Sequence, residues 1–150
     1  MPKVSFYLLP SASSQARYLF ACKLIEKSYR SGQFCYVLTD SPEQSRLIDD
    51  LLWTFRAGSF IPHQIYTGEL PDFDQMILIG SLSVPENWQK IVINLSANYP
   101  EYLFASSISR TERILEILDN NESTKELGRS RYRRYQQAGL EIETHKMEIG

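Results

Sequence analysis

Short apolar runs alternate with amphipathic segments along the first half of the chain. The runs at residues 4–9 and 34–39 have the length and the aromatic or branched side chains of strands, and the second is apolar enough to be covered on both faces. Each run is followed by a segment whose apolar residues recur at helical spacing. Serines after Pro10 and the Ser41-Pro42 pair are typical of helix starts. The pattern predicts strand, helix, strand and helix in that order.

The second half of the chain has a less regular pattern. Further strands are predicted at residues 76–79, 88–95 and 102–105, where apolar residues cluster between turn-forming residues. Residues 64–74 contain a glycine, a proline and alternating polar residues, so they are assigned to a loop or an edge strand. A turn or a single helical turn is expected around Pro85.

Two more helices are predicted towards the end of the sequence. One begins near Thr111 and carries the apolar residues Ile114, Leu115, Ile117 and Leu118. The other runs from about Ser123 to Ala138 and ends at Gly139. Strands that alternate with helices predict a three-layer α/β fold, a mostly parallel Rossmann-like sheet with helices on both faces. Residues 1–150 are expected to form one such domain.

Composition narrows the class of protein. The 150 residues are 43% hydrophobic and 23% charged, which is typical of a globular protein. The early apolar run has the size of a strand, so we expect neither a signal peptide nor a membrane span, and we expect a cytoplasmic protein. Cys22 and Cys35 fall in a predicted helix and a predicted strand and are expected to be buried, reduced thiols. No further ligands stand at metal-site spacing, so no metal site is predicted.

The first strand-to-helix turn is the place where a doubly wound sheet usually binds a nucleotide. Here residues 10–15 read Pro-Ser-Ala-Ser-Ser-Gln, with neither the glycines nor the lysine of a phosphate-binding loop. The seven glycines form neither a GxGxxG nor a Walker-type motif. No cofactor is therefore expected. The fold pattern alone keeps a nucleotide-dependent enzyme or a helicase-like domain as the alternative.

The residue types that carry catalysis are sparse. His63 and His145 are the only histidines, and neither a GxSxG elbow nor an HExxH motif occurs. The acidic pairs Asp49-Asp50 and Asp72/Asp74 are interpreted as solvated surface. No catalytic residue is assigned, and the chain is not expected to be an enzyme by itself.

Large aromatic side chains continue past the second predicted helix, where a connecting segment is normally polar. Trp53, Phe55 and Phe60 lie close together in sequence, just before Pro62 and His63. Two interpretations are open, because such residues either cap a core or form an exposed site for another protein.

Charge is distributed unevenly. The net charge of −2 argues against general binding of nucleic acid, yet residues 125–135 hold five basic residues and one acidic residue. At helical spacing, Lys125, Arg129, Tyr132 and Arg133 share one face. This face is a solvated basic surface, a site for an acidic peptide that ends in an apolar residue, or a site for single-stranded DNA.

Several short motifs, in order over nearly the whole chain, resemble the chi subunit of bacterial DNA polymerase III, a small accessory protein of the clamp loader. They are Phe6-Tyr7-Leu8-Leu9, Arg30-Ser31-Gly32, Leu52-Trp53, Ser59-Phe60-Ile61-Pro62-His63, Arg131-Tyr132-Arg133 and Ala138-Gly139. The resemblance implies a non-catalytic accessory subunit that acts in DNA replication.

The resemblance also implies two partners. In the chi family the matching aromatic segment contacts the psi subunit, which carries that role onto Trp53, Phe60, Pro62 and His63. A matching basic face holds the acidic C-terminal tail of single-stranded DNA-binding protein, so that nucleic acid is contacted mainly indirectly. The residues implied for the tail are Leu118, Lys125, Arg129, Tyr132 and Arg133. Whether a helicase also uses the psi surface stays open.

Overall fold

A computed structural model gives the structure of the chain and describes residues 1–106 and 109–148. Within these ranges seven strands form one sheet, and every strand pair is parallel. The order across the sheet is β3-β4-β2-β5-β6-β1-β7. The strands are β1 (Lys3–Leu8), β2 (Tyr36–Leu38), β3 (His63–Ile65), β4 (Ile77–Gly80), β5 (Ile91–Asn94), β6 (Arg113–Leu118) and β7 (Glu141–Lys146).

Helices cover both faces of this sheet. The α-helices of the described residues are α1 (Ser14–Arg30), α2 (Pro42–Thr54) and α3 (Glu122–Gln137). Helices α1 and α2 pack on one face, where Ile25 and Ile48 are buried against strand residues. Helix α3 packs on the other face, where Tyr135 is buried beside Phe6. The predicted three-layer α/β fold is confirmed. None of these helices is long and apolar enough to cross a membrane.

Polar side chains start the helices where the sequence predicts. Ser13 accepts a hydrogen bond from the backbone N–H of Ala16 at the start of α1, and Ser41 accepts one from Gln44 at the start of α2. Such caps satisfy backbone donors that have no partner within the helix. After α3 the backbone at Gly139 has φ +81°, a conformation that glycine adopts without a steric cost, and the chain turns directly into β7.

The helix predicted from Thr111 is wrong, because residues 113–118 form strand β6 near the centre of the sheet. Its apolar residues at i, i+1, i+3 and i+4 fit a helical stripe, but they fit equally a strand that is buried on both faces. Residues 114–118 are all buried. The length of six residues and the branched side chains of Ile114 and Ile117 were the signals for a strand.

Other element boundaries also differ from the predictions. In the range 88–95 only Ile91–Asn94 is strand, and Trp88 ends a short 3-10 turn, where its indole N–H donates to the Met76 carbonyl at 2.9 Å. The strand predicted at 102–105 is wrong, since Glu101–Leu103 is another 3-10 turn. Edge strand β7 was not predicted, because its polar side chains lack an apolar run.

A buried carboxylate ties helix α3 to the sheet. Glu116 of β6 is 0% exposed, and its two oxygens receive hydrogen bonds from Nε and Nη2 of Arg131 at 3.0–3.2 Å. The Tyr135 hydroxyl donates to the same carboxylate at 2.7 Å, and Asn94 Nδ2 donates at 3.0 Å. Arginine is suited to this role because its planar guanidinium can engage both carboxylate oxygens. The network joins β5, β6 and α3 inside the protein.

Burial also sets the protonation of the thiols and of one tyrosine. Cys22 and Cys35 are free and buried, as predicted, and burial raises the pKa of each thiol to about 12. Burial raises the pKa of Tyr135 well above its usual value, and the Glu116 carboxylate raises it further by opposing a second negative charge. These groups therefore stay neutral at physiological pH.

We expect Arg131→Met to lower the free energy of unfolding by about 3–5 kcal/mol, because it leaves the Glu116 carboxylate buried without its counter-charge. Urea denaturation measures the change. The matched control is Arg129→Met on the same helix, where an exposed pair with Glu126 is removed and the expected loss is below about 1 kcal/mol. Equal losses in the two variants would contradict a structural role for the buried pair.

Candidate protein-binding surfaces

A pocket of about 340 Å³ opens between helix α3 and strands β1, β6 and β7, and we call it the basic pocket. Its apolar lining comes from Phe6 and Leu8 of β1 and Leu118 of β6. The structure brings all five residues of the predicted tail-binding face into this one pocket. They are Leu118, Lys125, Arg129, Tyr132 and Arg133.

The shape of the basic pocket depends on close packing of α3 on β6. A Cβ atom at Gly128 would lie 2.4 Å from Leu118 Cδ1, so a larger residue would displace the leucine. Tyr132 is half-buried, and its ring lies 5.3 Å from the ring of Phe6. Tyr132 is therefore held against the sheet as part of the pocket.

Three cations line the α3 side of the basic pocket. Lys125 Nζ lies 3.0 Å from Asn120 Oδ1 and 3.4 Å from a Glu122 oxygen, and Arg129 pairs with Glu126 at 3.2 Å. Among the residues that the structure describes, Arg133 has no acidic group within 4 Å. Exposed pairs of this kind contribute little stability, so an acidic ligand can replace them.

The net charge of residues 125–135 overstates the charge at the pocket. Arg131 points into the protein and neutralises Glu116. The guanidinium of Arg134 lies 3.9 Å from the centroid of the Tyr99 ring and 3.7 Å from Glu101, outside the pocket lining. Only Lys125, Arg129 and Arg133 of the five basic residues line the pocket.

The second surface, which we call the aromatic patch, consists of Trp53, Phe60, Pro62 and His63. Trp53 is 61% exposed and Phe60 is 84% exposed, and Pro62 is also exposed. The interpretation of this segment as a cap on the core is therefore wrong for Trp53 and Phe60. It holds for Phe55, which is half-buried against the core on the α1/α2 face.

His63 differs from the other members of the aromatic patch, because its imidazole is buried. Nδ1 lies 2.7 Å from the Ile61 carbonyl, so this nitrogen carries the proton and donates it. Nε2 lies 3.3 Å from Asp49 Oδ1 without hydrogen-bond geometry. The imidazole centroid is 4.5 Å from the Trp53 ring, so His63 supports the tryptophan.

A carboxylate on α1 holds the loop that carries Phe60. The buried Glu26 side chain accepts hydrogen bonds from Ser59 Oγ at 2.9 Å and from Arg30 at 3.3 Å, and it pairs with Arg56 Nε at 3.0 Å. Burial by itself raises the pKa of the Glu26 carboxyl. The Ser59 hydrogen bond and the two arginines outweigh burial and lower the pKa below its usual value. The loop is thus fixed while its aromatic side chain stays exposed.

Arginines fill the crevice at the carboxyl ends of the central strands. Arg17 donates to the carbonyls of Ile117 at 2.7 Å and Leu95 at 3.1 Å, and Arg131 donates to the Ala97 carbonyl at 3.2 Å. The cavity beside them has a volume of about 100 Å³. Small-molecule sites usually have at least about 300 Å³, so a nucleotide would not fit in this cavity.

Comparison of the whole chain with known proteins identifies a family. Residues 1–143 match the family model described as DNA polymerase III chi subunit, HolC. The chain belongs to this family. It is 29% identical to the DNA polymerase III subunit chi of Pseudomonas aeruginosa, with 98% of each chain covered. It is 25% identical to the Escherichia coli subunit chi, covering 96% of this chain and 97% of that one. This chi-family chain is thereby assigned to DNA polymerase III and to DNA replication.

The fold has a solved relative of a different kind. The crystal structure of T4 UvsW matches with a TM-score of 0.67 at 12% sequence identity. The match covers 97% of this chain and 41% of that one. At this identity the likeness shows the α/β fold of the chi-family chain and nothing of its partners.

The sequence predicted the cations of the basic pocket but not most of the strand residues that line it. Phe6, Leu8 and Thr144 line the pocket from strands that are distant in sequence, so helical periodicity could not include them. Gly128 was a usable signal, since a glycine inside a predicted helix indicates close packing. The role of Glu26 had no sequence signal, because Ser59 lies 33 residues away.

We expect Glu26→Gln to lower the free energy of unfolding by about 1 kcal/mol at neutral pH, since two charge-assisted contacts with half-exposed arginines are weakened. Because the folded pKa is depressed, the carboxylate contributes stability above its unfolded pKa of about 4.3. That contribution is lost as pH falls through the folded pKa. Urea titrations measure the free energy of unfolding of the wild type and of Glu26→Gln at a series of pH values. The two free energies should therefore converge as the pH falls from neutral to acidic. A gap that persists in acid would show that charge is not the cause.

Proposed function

We propose that this chain is an accessory subunit of the clamp loader that bridges the psi subunit and the acidic C-terminal tail of single-stranded DNA-binding protein. The aromatic patch would bind psi, and the basic pocket would bind the tail. The patch adjoins β3 at one edge of the sheet, and the pocket adjoins β1 and β7 at the other edge. Both partners could then bind at the same time.

The basic pocket is the observation that carries the proposal. An acidic peptide with an apolar last residue needs an apolar cavity beside cations that can bind carboxylates. Leu118, Phe6 and Leu8 supply the apolar lining, and Arg133 supplies a guanidinium without an internal acidic partner among the described residues. A volume of about 340 Å³ is large enough for an apolar side chain of the peptide.

The aromatic patch supports the second half of the proposal. Trp53 and Phe60 are large and exposed; Trp53 packs on His63, and the residue before Phe60 is anchored by the Ser59–Glu26 hydrogen bond. Exposed large aromatic side chains on an anchored backbone are typical of the residues that dominate protein interfaces. Covering each one contributes roughly 1.5–3 kcal/mol. In this proposal the buried His63 acts by positioning Trp53.

Tail binding gives the first test. We expect Arg129→Ala and Arg133→Ala each to lower the affinity for a synthetic tail peptide at least about tenfold, because each removes a charge-assisted contact. Affinity for the wild type should also fall as salt rises from about 50 mM to about 300 mM. Fluorescence anisotropy measures both effects. Arg134→Ala is the matched control, an exposed cation of α3 outside the pocket, and an equal loss there would contradict a specific pocket.

Co-purification with psi gives the second test. We expect Phe60→Ala to abolish capture of psi and to leave tail binding unchanged, because Phe60 is exposed at the far edge of the sheet. Leu127→Ala is the control, since it shortens an exposed apolar side chain on α3 instead. If Phe60→Ala retains psi, the aromatic patch is not the psi surface. Loss of both partners would indicate a folding defect.

A further inference from the structure

The connection between β3 and β4 is an exposed segment with an unusual composition. These two parallel strands are joined without a helix, although parallel strands usually need one. Within residues 67–75, which we call the acidic loop, Leu70 is 60% exposed and Phe73 is 59% exposed. Glu69, Asp72 and Asp74 flank them and are exposed.

The acids of this loop are not neutralised locally. None of the three carboxylates lies within 4 Å of a basic group in residues 1–106 and 109–148. The acidic loop holds no lysine or arginine, so its net charge is −3. Two exposed apolar side chains between free carboxylates have the chemistry of an acidic peptide ligand.

The same molecule carries a surface of complementary chemistry. The basic pocket combines an apolar lining with Lys125, Arg129 and Arg133. We propose that the acidic loop of one copy of this chain docks into the basic pocket of a second copy. Phe73 or Leu70 would enter the apolar part of the pocket, and the loop carboxylates would meet the cations.

The docking has to be between two copies because the loop cannot reach its own pocket. Strand β3 and strand β1 are five positions apart in the sheet, which corresponds to roughly 24 Å at the usual strand spacing. Both ends of the loop are fixed, since the Tyr66 N–H donates to the Ile79 carbonyl at 2.7 Å and Met76 is buried. A nine-residue segment tethered at both ends extends about 15 Å at most.

Such a contact joins two different surfaces, so it is heterologous and can extend from copy to copy. One loop in one pocket buries less area than a stable interface of about 1,200 Å² requires, so the association should be weak. It would occupy the pocket that we propose for the acidic tail. The inference rests on the geometry and charge of the pocket, and it holds whether or not the tail is the pocket's partner.

Sedimentation equilibrium tests the docking with two matched double variants. Leu70→Ser with Phe73→Ser removes the apolar part of the loop, and Arg129→Glu with Arg133→Glu reverses the charge of the pocket. The wild type should self-associate as its concentration approaches about 1 mM, and high salt should suppress this. Each variant alone should be monomeric. An equimolar mixture should form a heterodimer, because one variant keeps the loop and the other keeps the pocket.

The mixing experiment separates docking from a loss of folding, since a misfolded variant could not restore the complex. A wild type that stays monomeric near about 1 mM would overturn the inference, as would a loop variant that associates like the wild type or a mixture that stays monomeric. The loop variant should also bind the synthetic tail peptide like the wild type at low protein concentration. If the wild type self-associates but does not bind the tail peptide, the result contradicts the proposed function and leaves the docking inference standing.

Discussion

The ion pair between Glu116 and Arg131 is the interaction on which the rest of this structure depends. Removing a carboxylate from water is costly, and here the cost is offset by the guanidinium, a tyrosine hydroxyl and an asparagine amide, all buried. Because Glu116 lies in the sheet and Arg131 in α3, Arg131 reaches the Glu116 carboxylate in one rotational orientation of the helix about its axis. That position turns Lys125, Arg129 and Arg133 towards the groove beside β1.

Close packing then converts this orientation into a pocket. Gly128 lets α3 approach Leu118, and Tyr132 packs against Phe6, so the apolar surface beside the cations is shaped by strand residues as well as by the helix. A helix that carried the same basic stripe without this docking would present only solvated charges. The carboxylate of Glu26 has a comparable role at the aromatic patch, since it fixes the loop through Ser59 and Arg56.

Local patterns in the sequence predicted the features that depend on neighbouring residues. They failed where the structure depends on contacts between residues that are distant in sequence. Caps, the helix α3 and its basic face followed from residue types and helical spacing. Strand β6 did not, because a short apolar run has the same pattern in a buried strand and in a helix. The inward direction of Arg131 depends on Glu116, which is 15 residues away and was assigned to the wrong element. The exposure of Trp53 and Phe60 required the fold itself.

A crevice filled by the protein's own side chains is consistent with candidate binding surfaces that lie at the edges of this sheet. In an open α/β sheet, the carboxyl ends of the strands offer free backbone groups and a cavity for a ligand. Here Arg17 and Arg131 donate to the carbonyls of Leu95, Ala97 and Ile117, so these groups are already satisfied by the protein. Beside β5 and β6, side chains that stabilise the fold thus occupy part of the usual ligand position. The two candidate binding surfaces lie beside β3 and beside β1 and β7, at opposite edges of the sheet.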